Sequence, residues 1–258
     1  MIREARRSDK SHVLKFCKNT FSWGDYIDDV WDYWFSEGLL FVAEEKFPVG
    51  LCHAVFFKDH AWIEGIRISP DFRRKGIASK MVQKIESIAQ NRKIKSSFML
   101  IDTKNKPSIL MAKTLDYKIF QTWNFYSLSP KKNTTHKFFF GNVIDINDFP
   151  HYVKSWRWVP LDQNKLNFLQ SNNQIIYSGE DENKTVAILE DSEHFANTVI
   201  ATLYSGSTKN TFNVISFLQN YGFEKKYQRL QILTKETLPN FEGLEHKLSF
   251  HLMQKLFS

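Results

Sequence analysis

Trp62-Ile63-Glu64-Gly65-Ile66-Arg67-Ile68, Ser69-Pro70-Asp71-Phe72 and Arg73-Arg74-Lys75-Gly76-Ile77-Ala78-Ser79 follow one another without interruption, and their reading decides the fold. The first segment is an apolar strand and the second a turn. The third is a basic loop feeding a helix. From there Ile77, Ala78, Met81, Val82, Ile85, Ile88 and Ala89 recur at steps of three and four, so they line one buried helix face. A helix start leaves backbone N–H groups without partners and carries partial positive charge. Gly76 has no Cβ to hold a ligand away, and Ala78 and Ser79 keep the next turn open. Arg73, Arg74 and Lys75 add positive charge at the same end. Together they suit a phosphate or pyrophosphate. An isolated Arg-x-x-Gly-x-Ala reads equally well as a solvated surface turn; the flanking strand, Ser-Pro turn and amphipathic helix argue against that. The spacing of a Walker loop is absent, and a single glycine does not make a Rossmann fingerprint.

Residues 68–78 resemble the acetyl-CoA signature of the GCN5-related N-acetyltransferase (GNAT) superfamily, Arg/Gln-x-x-Gly-x-Gly/Ala after a strand ending Val/Ile-x-Pro. Ala78 fills the last small position. Residues 63–70 are also similar to the corresponding strand of histidine N-acetyltransferase-type members. The resemblance spans residues 1–130 and implies an α/β (α+β) GNAT acyl-CoA N-acyltransferase fold, with a mixed central sheet flanked by helices. Acetyl-CoA is then the cosubstrate. The family pattern places its phosphates on Arg73, Arg74, Lys75, Gly76, Ile77, Ala78 and Ser79. Backbone N–H groups of Ile66, Arg67 and Ile68 face the pantetheine arm and acyl carbonyl. Asn105 stands where the family often has an Asn near that arm, and it reads equally as a helix N-cap.

Acetyl transfer to an amine also needs a base. Glu64 lies two residues before Ile66, so an unbroken strand puts both side chains on one face. A partly buried carboxylate gains proton affinity, as a base for an ammonium requires. The alternative for Glu64 is a structural pairing with a neighbouring Arg or Lys; His53 and His60 are the other base candidates. The family's frequent Tyr acid falls on Ala112 here, which leaves the catalytic acid open, and Tyr117 is expected in the core. The resemblance implies direct attack of the amine on the thioester, without an acetyl-enzyme.

Around this stretch, residues 2–5 predict a first strand and Ser8-Asp9 a helix start. Trp23, Tyr26, Ile27, Val30, Trp31 and Trp34 have helical spacing, interleaved with Asp25, Asp28, Asp29 and Asp32. In the family this region walls the acceptor site, where an acidic, aromatic face suits a cationic amine; a core face backed by solvated acids is the competing reading. Residues 39–44, 50–57 and 61–68 predict an antiparallel meander, followed by strands at 97–102, 118–121 and 123–128 and a helix at 108–114. Residues 129–135 read as a linker.

This divides the chain into an acetyl-CoA-binding domain at 1–130 and a second domain at 136–258. The second has no glycine loop but a faint internal echo. Residues 97–120 parallel 198–223, strand to polar turn to helix to an aromatic closing turn such as Tyr221-Gly222-Phe223. It is therefore expected to be a degenerate GNAT-like domain that does not bind acetyl-CoA, shaping the acceptor pocket or an internal pseudo-dimer. Trp156-Arg157-Trp158 opens it, either as a plug between the domains or as a platform for a substrate ring.

The 258 residues carry a formal charge of +7, which favours anionic ligands such as CoA; no Lys/Arg tract is dense enough to argue for nucleic acid. Cys17 and Cys52 form no CxxC pair, so neither a zinc motif nor a disulfide framework is expected. A reducing cytoplasm fits. No apolar run long enough for a membrane span or a signal core is visible. The expected function is acetyl-CoA-dependent N-acetyl transfer to a primary amine, of a small molecule such as an amino acid. A protein or peptide acceptor and a non-catalytic acyl-CoA sensor are the alternatives, and the oligomeric state is open.

Overall fold

The computed structural model describes residues 1–18, 20, 24–133, 139–140 and 151–257. Trp23, Thr134, Thr135 and the expected start of the second domain at residue 136 lie outside them. The chain divides into two compact units, Met1–Gln121 with His251–Ser258, and Thr122–Phe250.

The first unit begins with β1 (Ile2–Glu4), α1 (Lys10–Cys17), α2 (Ile27–Glu37), β2 (Leu40–Glu44), β3 (Pro48–Phe56) and β4 (His60–Ile68). After the basic loop come α3 (Ile77–Asn91), β5 (Ser96–Asp102), α4 (Lys106–Thr114) and β6 (Lys118–Leu128). β1 to β4 pair antiparallel in order, and β5 lies parallel to β4 with α3 crossing between them. Asp9 ties the opening together. Its carboxylate accepts the Arg6 N–H and pairs with Arg3, which also reaches Glu44 on β2.

Strand alternation gives the sheet two apolar faces. One packs Cys52, Ala54 and Ile63 under α3 and α4, with the predicted Met81, Val82 and Ile85 buried there. The other packs Leu40, Val42 and Leu51 under α1 and α2, with Trp31 and Trp34 buried.

The boundary between the units differs from the expected one. β6 passes from the first unit to the second at residues 121 and 122. The last strand, β14 (Leu244–Leu256), contributes residues 251–256 to the first unit and stands next to β5 in the strand order. Glu86 on α3 pairs with Lys255 at 2.8 Å, and the Phe257 N–H donates to the Lys95 carbonyl at 2.8 Å. Strands are recruited by open edges rather than by position in the chain, so a linker-like composition at 129–135 does not mark a domain end.

The second unit adds β7 (Phe139–Phe140), β8 (His151–Lys154), β9 (Arg157–Pro160), α5 (Gln163–Ser171), β10 (Ile175–Ser178), β11 (Thr185–Asp191), β12 (Thr198–Tyr204), α6 (Thr208–Glu224) and β13 (Arg229–Thr234). β12 is antiparallel to β11 and parallel to β13, with α6 between the parallel pair. That is the environment of β4, so the expected echo is displaced by one element. β12 corresponds to β4 rather than β5, and Tyr221-Gly222-Phe223 lies inside α6 rather than in a closing turn. Trp158 packs on Trp123, and Trp156 packs on Phe125 while donating to Gln231, all within this unit. No described helix is long and apolar enough to cross a membrane.

Lys255→Met strands the Glu86 carboxylate, which is 6% exposed. Breaking a fully buried pair costs about 3–5 kcal/mol, and partial exposure of the lysine brings this one to about 1–3 kcal/mol. A Tm lowered by several degrees in calorimetry is expected, and an unchanged Tm contradicts this account.

Candidate active site

The site is built on an irregularity in β4. His53 of β3 faces Glu64, yet Leu51 faces Arg67, so β4 carries one more residue than β3 between the same two rungs. Gly65 sits in the bulge at φ +65°, a conformation that favours glycine, and an added Cβ would meet the Trp34 ring at 2.4 Å. One inserted residue reverses the alternation beyond it. Glu64 and Arg67 therefore face the α1–α2 side, whereas Ile66 and Ile68 pack with the α3-side core. The expectation that Glu64 and Ile66 share a face is corrected by this bulge.

Immediately beyond, the sheet opens. The β4–β5 ladder runs from His60↔Ser96 to Ile63↔Met99 and stops, leaving 64–68 and 100–102 unladdered to each other. Above this fork is the start of α3. Gly76 adopts φ +73° with open space where a Cβ would stand, and no side chain caps the helix. By contrast α4, α5 and α6 are capped by Asn105, Asp162 and Ser207. Arg73, Arg74 and Lys75 are exposed around the uncapped turn. The Arg73 Nε–H donates to the Ile68 carbonyl at 3.1 Å, and Lys75 lies over the Phe72 ring. Ile77 packs its side chain against the core, and Ala78 and Ser79 are half-buried.

An unclaimed helix start, an open glycine cradle and a forked strand pair fit a pyrophosphate followed by a narrow amide-bearing arm. Asn105 takes the other role left open for it: its side-chain oxygen accepts the Ser108 N–H at 3.2 Å.

Glu64 stands at the fork. Its Oε1 lies 2.9 Å from His53 Nδ1, and its Oε2 accepts the Trp62 indole N–H at 3.0 Å. The His53 Nε2 lies 3.0 Å from the Gly38 carbonyl, and Trp34 stacks on the imidazole at 4.7 Å. His53 is fully buried, while the Glu64 side chain retains 14% exposure. His60 is at the other end of β4, four residues and about 13 Å along the strand, packed on Phe57 and Phe98. The structure thus joins His53 to Glu64 and separates His60 from it. The sequence reading missed the bulge, whose one available signal was an isolated glycine inside a strand.

Arg67 is held by Asp25 at 2.7 and 3.1 Å and lies over the Tyr26 ring. Any part it takes in holding a ligand at the fork therefore belongs to its backbone. Asp28 and Asp32 are exposed and pair with Lys10, and Trp31 and Trp34 are buried. Trp31 and Trp34 thus form a core face and Asp28 and Asp32 are solvated, whereas the Asp25 side chain is buried against Arg67. Ala112 is fully buried. Tyr117 is in the core with its hydroxyl 2.5 Å from Ser97 Oγ. Burial, reinforced by Asp25, pushes the Cys17 thiol up to about 12, and burial raises Cys52 as well. Neither is a thiolate near neutrality, so neither suits an acetylated intermediate.

Residues 6–117 match the acetyltransferase (GNAT) family. These residues form a GNAT acetyltransferase domain. Over its whole length the chain is similar in fold to solved acetyltransferase structures. An acetyltransferase from Thermoplasma acidophilum superposes with a TM-score of 0.68 at 14% identity, covering 100% of both chains. A GCN5-related N-acetyltransferase from Sphaerobacter thermophilus gives 0.65 at 11%, over 99% of this chain and 95% of that one. An acetyltransferase from Pyrococcus horikoshii gives 0.61 at 15%, over 100% and 89%. No curated protein sequence matches the chain.

The second GNAT-like unit has the fold without the fork. The β11–β12 register runs unbroken from Val186↔Tyr204 to Asp191↔Val199, and β12–β13 pairing continues to Thr202↔Leu233. The turn before α6 is filled from within. Ser207 caps the helix, and the Gly206 N–H donates to Thr185 Oγ1. The Asn183 carbonyl accepts from Ser207 and Asn210 and would lie 2.2 Å from a Cβ on Gly206.

Gly65→Ala combines left-handed backbone strain of about 1–2 kcal/mol with overpacking of about 1–3 kcal/mol against Trp34. A Tm drop of about 4–20 °C is expected from that total in thermal unfolding, and an unchanged Tm contradicts the strain and close packing described. In native protein, a thiol reagent at pH 8 is expected to label Cys17 and Cys52 at least tenfold more slowly than after denaturation. Equal rates contradict the burial described.

Proposed function

We propose that the chain is an acetyl-CoA-dependent N-acetyltransferase that moves acetyl directly to the primary amine of a small molecule, such as an amino acid. The observation that carries this reading is the position of Glu64, the first β4 residue beyond the last β4–β5 rung. Residues 73–79 hold the phosphates at the uncapped start of α3. The backbone of 66–68, unladdered toward β5, holds the arm and presents N–H groups where negative charge develops on the acyl oxygen. Acetyl-CoA, when bound, supplies the activated acyl carbonyl. Glu64 takes one proton from the ammonium, and the freed electron pair on nitrogen forms the C–N bond to the acyl carbon. The thioester C–S bond then breaks with its electron pair on sulfur, and the second amine proton goes to that sulfur so that CoA leaves as the thiol.

Both a Glu64→Gln variant and wild type are to be measured for acetyl-CoA binding and for CoA release with free amino acids, polyamines and short peptides. The expected result is release with one class of small amine, unchanged acetyl-CoA affinity in the variant, and kcat reduced about 100-fold or more. Retained turnover in the variant removes Glu64 as the base. Turnover with peptides alone moves the acceptor to that class.

A further inference from the structure

The hydrogen bonds around His53 determine how many protons it shares with Glu64. The Gly38 carbonyl can only accept, so His53 Nε2, 3.0 Å away, carries a proton. His53 Nδ1 then faces Glu64 Oε1 at 2.9 Å, and two lone pairs cannot face each other stably at that distance. A second proton lies between them. The Trp62 N–H donated to Oε2 favours the carboxylate form, giving an imidazolium–carboxylate pair that is neutral as a whole. Other charged and titratable groups lie near the pair, among them Cys52 of β3, whose Sγ is 3.9 Å from the Glu64 carbonyl. Glu37 of α2 lies 3.6 Å from Nε2, and Tyr26, Asp25 and Arg67 lie beyond Glu64, with Asp25 and Arg67 paired to each other. Trp34 covers one imidazole face, and the ring has no solvent exposure, so water cannot substitute for either bond.

We propose that His53 is a positioning residue for Glu64, and that the pair, rather than Glu64 alone, takes up the acceptor's proton. This rests on the reading of Glu64 as the base. In its two-proton state the pair is a poor base, since a third proton would put an imidazolium beside a neutral acid. Once one proton has left to solvent, Nδ1 and Oε1 confront each other with lone pairs. The ammonium then gives its proton to Glu64, the N–H electron pair stays on the amine nitrogen, and the neutral pair is restored with the proton shared again by His53. The pair returns that proton to solvent before the next turnover.

The test is the pH dependence of kcat at saturating acetyl-CoA and amine in wild type and His53→Asn, which keeps an amide donor but cannot titrate. Wild type is expected to show a rising limb that belongs to the pair. In His53→Asn that limb is expected to be absent and the plateau at least tenfold lower, with acetyl-CoA affinity within twofold. The same limb in both proteins overturns the proposal. If Glu64→Gln stays active, the base reading fails and this proposal with it. If Glu64→Gln is inactive while His53→Asn keeps the limb, the sharing alone fails. Should the variant not fold, imidazole nitrogen NMR of the wild-type protein decides. Nε2 is expected to carry a proton, as its contact with the Gly38 carbonyl requires, and a ring with its lone proton on Nδ1 overturns the pair described.

Discussion

One extra residue in β4 sets the geometry of everything that follows it. A bulge at Gly65 turns the second half of the strand so that Glu64 and Arg67 face one side and Ile66 and Ile68 the other. The ladder to β5 stops at the rung just before it. Without that residue β4 and β5 could continue their pairing, and their backbone groups would be consumed by the sheet. The stack of Trp34 on His53, and its close approach to Gly65, holds the bulge against the helical layer beneath. Conformational freedom at the glycine and tight packing around it are therefore both needed.

The two units show what this irregularity does, because they share a plan and differ in it. Each has an antiparallel strand pair leading into a parallel pair connected by a helix. In the first, the helix start is uncapped and the ladder ends early. In the second, the ladder runs on, and serine, threonine and asparagine groups satisfy the backbone of the turn. The second arrangement stabilises a helix end in the ordinary way. The first leaves its donors for something else, and a basic loop surrounds them.

Part of this was legible from residue order. The periodicity of 77–89, the Ser-Pro turn and the glycine identify strand, loop and helix, and the structure places α3 at Ile77–Asn91. The meander and the second GNAT-like fold were also within reach. The match of the echo was displaced by one element, because a strand–turn–helix pattern alone does not tell which strand pairs parallel. The compact units differ from the expected domain limits for a related reason. β6 and β14 each contribute to both units, and composition carries no information about which edge a strand joins.

The sequence by itself determined the local chemistry: a turn that presents uncapped N–H groups and cations, and a carboxylate on the strand before it. Those properties follow from spacing and from what each side chain can bond within a few residues. Only the tertiary structure decided that His53 rather than His60 joins Glu64, that Arg67 is held by Asp25, and that Asp28 and Asp32 face Lys10. These partners come from elements separated in the chain. A bulge of one residue is enough to exchange them, because strand alternation has a period of two.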